Sequence, residues 1–384
     1  MSAPIFYEFF AGGGMARAGF GAGWACAFAN DFDTSKRDAY TANWGEGCFK
    51  LGDIHALAAS DVPGHADLAW ASFPCQDLSL AGAKAGLDGA RSGAFWGFRN
   101  LMASLAREGR APRILALENV VGALTSRGGR DFSALCAALA EVGYRCGAMV
   151  IDAADFTPQS RPRLFVIAVR ADVVLPEAVA GREPEPRLAP SPLLRAHALL
   201  EGQAASGWVW WRLPPPASRN NDLASITEEQ PGDVHWRSEA ETQRLLSLMA
   251  DNHRAKVEEA RRAGGLRVGA VYRRTRATAD GGKAQRAEVR FDGLAGCLRT
   301  PGGGSSRQFL LFVEGERTRS RLLSGREAAR LMGLPDDYRL PRGYTDACHL
   351  LGDGVAPPVV RHLAAYLFEP LLKQGWPGRA RDAA

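Results

Sequence analysis

Short apolar runs alternate with amphipathic stretches through the first 170 residues. The runs at 5–10, 24–30, 66–72, 113–117, 145–151 and 163–170 have the length and composition of buried strands. Between them, 15–20, 34–44, 95–107 and 132–142 place apolar residues at helical spacing. Strands that alternate with helices in this way predict an α/β fold. The expected form is a Rossmann-like, mostly parallel sheet with helices on both faces.

Near residue 171 the texture changes. Prolines stand at 176, 184, 186, 190 and 192, and 214–216 are three more. This reads as irregular chain leaving the first domain. Trp208, Trp210 and Trp211 lie close together within it. Packing a small core is the plainer expectation for them, and stacking on bases the alternative. Residues 238–263 predict a highly charged helix, 266–313 short strands and turns, and 355–372 a packed helix. Residues 373–384 are expected to fray.

A chain of 384 residues with 46% hydrophobic content can bury a substantial core. Its apolar runs are too short and interrupted to predict a membrane span. The first residues, Met1-Ser2-Ala3-Pro4, lack the pattern of a signal peptide. Seven scattered cysteines without a Cys-x-x-Cys pair predict a reducing cytoplasm and no metal site. Residues 1–170 hold 16 Lys/Arg and 16 Asp/Glu, whereas 237–300 hold 14 and 8. An excess of +6 in one segment suits either a polyanion-binding surface or a solvated helix face.

The chemistry-bearing residues cluster at predicted strand ends. Phe73-Pro74 stops a strand, because proline cannot continue a ladder. Cys75 is thereby carried just past its carboxyl end, where open parallel sheets place ligands. The glycine-rich stretch after it carries Lys84 and Arg91. Taken alone, Cys75 fits a buried structural thiol better than a nucleophile. Phe10-Ala11-Gly12-Gly13-Gly14 joins a strand to a helix, as a nucleotide site does. Asp31 ends the next strand, where a carboxylate can take ribose hydroxyls. Asp53 and Ile54 follow another, where they can meet an adenine. Each has a plainer reading as a turn residue. Glu118 closes an apolar run, in a place that suits either a general acid or a salt-bridged carboxylate. Arg161 and Arg163 alternate at period two, so both can face one side as a strand begins.

In order along the chain, the motifs are Phe10-Ala11-Gly12, Phe73-Pro74-Cys75-Gln76, Glu118-Asn119-Val120, Gln159-x-Arg161-x-Arg163, Arg321 to Glu327 and Gly352-Asp353-Gly354-Val355. This set resembles the C5-cytosine-specific DNA methyltransferase family. The resemblance implies transfer of a methyl group from S-adenosylmethionine to C5 of a cytosine flipped out of double-stranded DNA. It leaves S-adenosylhomocysteine and requires no metal. It implies Cys75 as the nucleophile at C6, Glu118 at the N3 edge, Arg163 at the O2 side and Arg161 in support. Phe10, Gly12, Asp31, Asp53, Ile54, Pro74 and Val355 would bind the cofactor. Ser79 and Arg91 would meet the DNA backbone. Arg273, Arg274, Arg276 and Arg299 would belong to the sequence-reading surface, with Arg286 and Arg290 as further candidates.

The expected domains are 1–172 with 345–384 for catalysis and cofactor, and 173–344 for target recognition and bracing. Arg326 and Glu327 are expected to be structural. Asp353 stands where the family usually has Asn, and Cys297 where it usually has Thr. The resemblance also implies a monomer in a bacterial or phage setting, associated with the nucleoid. A separately acting cognate restriction endonuclease would accompany it. Two other readings are a tRNA cytosine-5 methyltransferase and a catalytically silent DNA-binding paralogue. The basic segment favours DNA over tRNA, and an intact Cys75, Glu118, Arg161 and Arg163 argue against the silent form.

Overall fold

The computed structural model describes residues 2–73, 93–277, 282–300 and 307–373. The chain forms two compact units. The first comprises 1–152, 162–216 and 357–384, and the second 153–161 and 217–356. These bounds differ from the expected domains. Residues 173–216 join the first unit, and 345–356 the second.

The first unit is built on a seven-stranded sheet. Its strands are β1 Ile5–Phe9, β2 Ala25–Asp31, β3 Phe49–Leu51, β4 Leu68–Ala71, β5 Ile114–Val120, β6 Tyr144–Asp152 and β7 Pro162–Arg170. The order is β3-β2-β1-β4-β5-β7-β6. β1 to β5 pair in parallel, and β7 runs antiparallel to both β5 and β6. Residues alternate between the faces of β1. Phe6 meets Phe20 at 4.5 Å in helix α1, Met15–Phe20, while Phe9 meets Phe98 at 5.3 Å in Ala94–Arg107. Both faces are therefore covered. On the α1 face, Phe20 also contacts Phe368 at 6.2 Å, in the final helical stretch. That stretch runs from Pro357–Leu363 through a π turn, Ala364–Phe368, to Glu369–Lys373.

The proline-rich stretch packs onto this unit. Trp210–Trp211 pairs with Ala180–Gly181, and Val209 N donates to Cys146 O of β6 at 3.0 Å. Trp211 is buried, and Trp208 packs on Phe132 and His197. The tryptophans thus pack, as the plainer reading has it, but Trp208 and Trp210 join the main core of the sheet unit and not a small one of their own.

The second unit holds a four-stranded antiparallel sheet. Its strands are Leu266–Ala277, Lys283–Arg290, Phe309–Glu314 and Arg317–Leu322. Leu245, Val257, Val271, Leu311 and Val313 form its core. The charged segment expected as one helix is two, Glu239–Ser247 and Asp251–Arg262. The break arises because Leu248 O accepts from Ala287 N and Met249 bridges to Ala287. Sheet hydrogen bonds there replace helical ones. Among the described residues, no helix is long and apolar enough to cross a membrane. Nor does any group of three or more His, Cys, Asp or Glu among them suit a metal ion.

Candidate active site

Pro74, Cys75, Ser79 and Arg91 lie outside the described residues. The chain that leads to them is described. β4 ends at Ala71, and Phe73 is buried against Phe95 with ring centroids 5.6 Å apart. Asn119 Nδ2 donates to Phe73 O at 3.3 Å, while its Oδ1 accepts from Val120 N at 2.8 Å. Asn119 thus fastens the end of β4 to β5. It belongs to a motif read from the sequence, yet no role was assigned to it there. Its pairing across the sheet is invisible in a linear pattern.

Glu118 lies within β5 and not beyond it. The strand extends through Val120 because β7 pairs with it, Glu118 opposite Phe165 and Val120 opposite Arg163. Arg163 Nε meets Glu118 Oε1 at 3.1 Å, and both side chains are largely buried. The antiparallel direction of β7 makes this possible. It brings a residue near the start of one strand to the carboxyl edge of its parallel neighbours. A buried carboxylate and guanidinium side by side form a polar, planar recognition edge.

Arg161 does not share this geometry. β7 begins at Pro162, so the two-residue alternation stops short of Arg161. Ser160 N instead donates to Ala295 O in the second unit. There the buried Arg161 guanidinium donates to Leu298 O at 3.0 Å, Gly352 O at 2.8 Å and Gly354 O at 2.6 Å. It lies 3.2 Å from Cys297 Sγ. Arg161 therefore ties the Cys297 segment to the Gly352-Asp353-Gly354 turn. Gln159 does similar work, accepting from Leu298 N and donating to Leu331 O. Val355 is buried beside that turn.

In the first unit, the glycine turn and the end of β2 meet. Phe10 adopts a positive φ of 55°, which is strained for a side chain of its kind. Gly12, at φ 54°, has open space where a Cβ would stand. Its N–H donates to Asp31 Oδ2 at 2.9 Å, and Asp33 N donates to Oδ1 at 3.1 Å. Asp31 is buried, and that desolvation raises its pKa above the ordinary carboxylate value, with Lys36 acting in opposition. The next residue, Phe32, is 64% exposed. A large apolar ring left in solvent beside a buried carboxylate was missed in the sequence. Its signal was the aromatic directly after the strand-end acid. Asp53 is exposed and accepts from His55 N at 2.9 Å. Ile54, by contrast, is buried in the core beneath the strand-end edge. An open turn, a fixed carboxylate and an exposed aromatic ring suit a nucleoside.

The four recognition candidates lie in the second unit. Leu266–Ala277 pairs with Phe309–Glu314 only as far as Val271. Beyond it, 272–277 continues with 283–288 as a two-stranded ribbon. Arg274 and Arg276 are exposed on this ribbon and both approach Glu288, Arg274 Nε at 3.2 Å. Arg273 is on the other face, stacked on Phe309 with 4.9 Å to the ring centroid. Arg299 is exposed.

A family model described as C-5 cytosine-specific DNA methylase matches residues 5–369. Type II methyltransferase M.BsuFI of Bacillus subtilis is 27% identical over 96% of this chain and 73% of its own. Type II methyltransferase M.HhaI of Haemophilus parahaemolyticus is 25% identical over 94% and 92% respectively. Among solved structures, the Entamoeba histolytica methyltransferase EhMeth aligns with a TM-score of 0.61 at 13% identity, over 97% of this chain and 99% of its own. The S. pombe Dnmt2 methyltransferase aligns with a TM-score of 0.56 at 16% identity, over 96% and 99%. At such identities the structural likeness speaks for the fold alone. The match across nearly the whole chain carries the assignment: the chain belongs to the C-5 cytosine-specific DNA methylase family and is a DNA (cytosine-5-)-methyltransferase.

Proposed function

We propose that this enzyme methylates C5 of a cytosine flipped out of a short target sequence in double-stranded DNA. The observation that supports the reading is the Glu118–Arg163 pair at the carboxyl edge of the sheet, 3.1 Å apart and largely buried. A cytosine presents an acceptor at N3, a donor at its amino group and an acceptor at O2 along one edge. Glu118 would meet N3 and the amino group, and Arg163 the O2 side. Arg163 binds more strongly as Cys75 attacks C6, because negative charge then spreads over that edge, and Glu118 in its acid form would give N3 a proton as that charge develops. Attack forms the Cys75–C6 bond and makes C5 nucleophilic. C5 takes the methyl group, its proton leaves, and expulsion of Cys75 restores the ring.

S-adenosylmethionine supplies an activated methyl group when bound. Phe10 and Gly12 would accommodate it at the turn, Asp31 would take its ribose hydroxyls, and Asp53 its adenine amino group. The exposed Phe32 would stack on the adenine. Ile54 would support this pocket from the core, and Pro74 and Val355 would complete it. Arg161, with its backbone partners, is a positioning residue and not a group at the reacting atoms. Ser79, Arg91 and Arg299 would contact the DNA. A two-stranded ribbon fits the major groove, and Arg274 and Arg276 are exposed on one. Arg273 would support it from the opposite face. Catalysis would then fall mainly to the first unit, 1–152 with 162–216 and 357–384, and recognition to the second, 153–161 with 217–356. A monomer in a bacterial cytoplasm, with a separate endonuclease, completes the proposal.

The test is DNA in which 5-fluorocytosine replaces the mapped target cytosine. A covalent complex that needs S-adenosylmethionine and is absent from Cys75→Ala is expected, since fluorine cannot leave as the proton does. Turnover retained by Cys75→Ala, or no trapping at a verified site, would overturn the proposal.

A further inference from the structure

Two cysteines outside the active site face one another at the base of the glycine turn. Cys26 lies on β2 and Cys48 just before β3, with their Sγ atoms 3.9 Å apart. Both are partly exposed. Arg17 Nη1 donates to Cys48 Sγ at 3.3 Å and to Tyr40 Oη at 2.9 Å. The Tyr40 hydroxyl lies 3.6 Å from each sulfur. The buried Glu8 carboxylate bears on Cys26 electrostatically, whereas Arg17 bears on Cys48. The hydrogen bond shared with Cys26, aided by Tyr40 and Arg17, holds Cys48 well below the ordinary thiol range. The same shared bond and burial push Cys26 above it.

A second neighbouring pair provides the contrast. Cys136 and Cys146 also interact, but both are buried in the apolar core and Cys136 is raised well above the thiol range. Proximity alone does not make a reactive pair. Charge, access and an adjacent thiol occur together at Cys48.

We propose that Cys26 and Cys48 form a peroxide-sensitive modification site that closes to a reversible disulfide. Cys48 Sγ, as thiolate, attacks one oxygen of hydrogen peroxide. The O–O bond breaks, hydroxide leaves and is protonated to water, and Cys48 becomes a sulfenic acid. Cys26 Sγ then attacks that sulfur, its proton leaving with the displaced hydroxide as a second water. Two thiols are oxidised and one peroxide is reduced. The sulfurs must approach by about 2 Å to reach bonding distance. Cys48 lies in the link that follows helix Thr34–Trp44, next to the short edge strand β3, and its carbonyl accepts from Ala29 N of β2 at 2.8 Å, so the approach falls to the two side chains.

The experiment treats the full-length protein with limiting hydrogen peroxide, quenches it and quantifies every cysteine by peptide mass spectrometry. Cys75 is followed on its own peptide. The expected result is a Cys26–Cys48 linked peptide, lighter by two hydrogens and restored by dithiothreitol. Cys48 should be consumed at least about ten-fold faster than Cys348 or Cys136. In Cys26→Ser, a dimedone adduct should accumulate at Cys48. In Cys48→Ser, Cys26 should remain unmodified. Oxidation of Cys48 no faster than Cys348, or its linkage to any other cysteine, would overturn the proposal. So would failure to find the linked peptide in the wild-type protein, whatever the variants do.

Discussion

The two units each bury an arginine–glutamate pair, and the pairs are built for different ends. In the second unit Arg321 and Glu327 are wholly buried. Their contact is bidentate, with Arg321 Nη1 at 2.7 Å and Nη2 at 2.6 Å from the carboxylate. Glu327 also accepts from Ser324 N and Glu228 N, and Arg321 donates to Glu228 O. Trp236 and Phe312 flank the guanidinium. Glu327 caps its own helix as well, through the reciprocal bonds with Ser324. In the first unit, Glu118 and Arg163, also largely buried, stand 3.1 Å apart at the carboxyl edge of the sheet. The first arrangement turns both Nη groups of the guanidinium to protein acceptors, with Nε left over. The second lies where, in the proposed function, the edge of a cytosine would be read. Ionic chemistry alone does not mark a site. Which groups surround the pair does.

Breaking the closed pair should have the largest effect on stability. Arg321→Met leaves Glu327 buried without its counter-charge, and about 3–5 kcal/mol should be lost. Urea unfolding would measure it. Combining Arg321→Met with Glu327→Leu should recover much of that loss, because the unpaired charge disappears.

The pair at the sheet edge should respond in activity. Glu118→Gln should reduce methyl transfer by about 10²–10⁴, while its urea midpoint shifts less than that of Arg321→Met. An equal loss of stability would erase the distinction between the two pairs. Single-turnover methylation with a parallel unfolding curve is the measurement.

A third buried carboxylate sharpens the comparison with a smaller effect. Glu8 accepts from the Arg17 backbone amide at 3.3 Å, and burial pushes its pKa from 4.5 up to about 8. A raised acid binds its proton more tightly in the fold than in the unfolded chain. Its contribution is therefore full below 4.5 and is lost as pH rises through about 8. Glu8→Gln should become progressively more stable relative to wild type across that window. Unfolding midpoints at several pH values would reveal the trend, and parallel curves would remove Glu8 as its source.

Much of the first unit was legible because its periodicities are local. The helix read over 34–44 has those bounds in the structure, with Asp33 capping it through Ser35 N and Lys36 N. Parallel strands also announced themselves as continuous apolar runs. The end of β5 did not, since Glu118 and Asn119 are polar and only pairing with β7 keeps them extended. The divergence of Arg161 from Arg163 was equally hidden, because a two-residue period cannot tell where a strand begins. The helix break at 248–250 has no glycine or proline to mark it and follows from bonds to Ala287. At the site, strand-end acids and the glycine turn were visible. Asn119's tie to Phe73 and the exposed face of Phe32 required the third dimension.

The final helix has a consequence for how the protein is made. Helix α1 reaches it through Gly19, where a Cβ would stand 2.4 Å from Val360 Cβ and 2.7 Å from Pro357 O. Arg113 binds the carbonyls of Leu371 and Leu372, and Trp24 reaches Glu369. The nascent sheet therefore emerges from the ribosome with one face covered by α1 but not by the final helix, and it stays so while residues 217–356 of the second unit are translated. Only when residues 357–373 have been made can that part of the face close. A premature stop near residue 356 would leave nearly every motif intact and still release a chain with its aromatic core open to other chains.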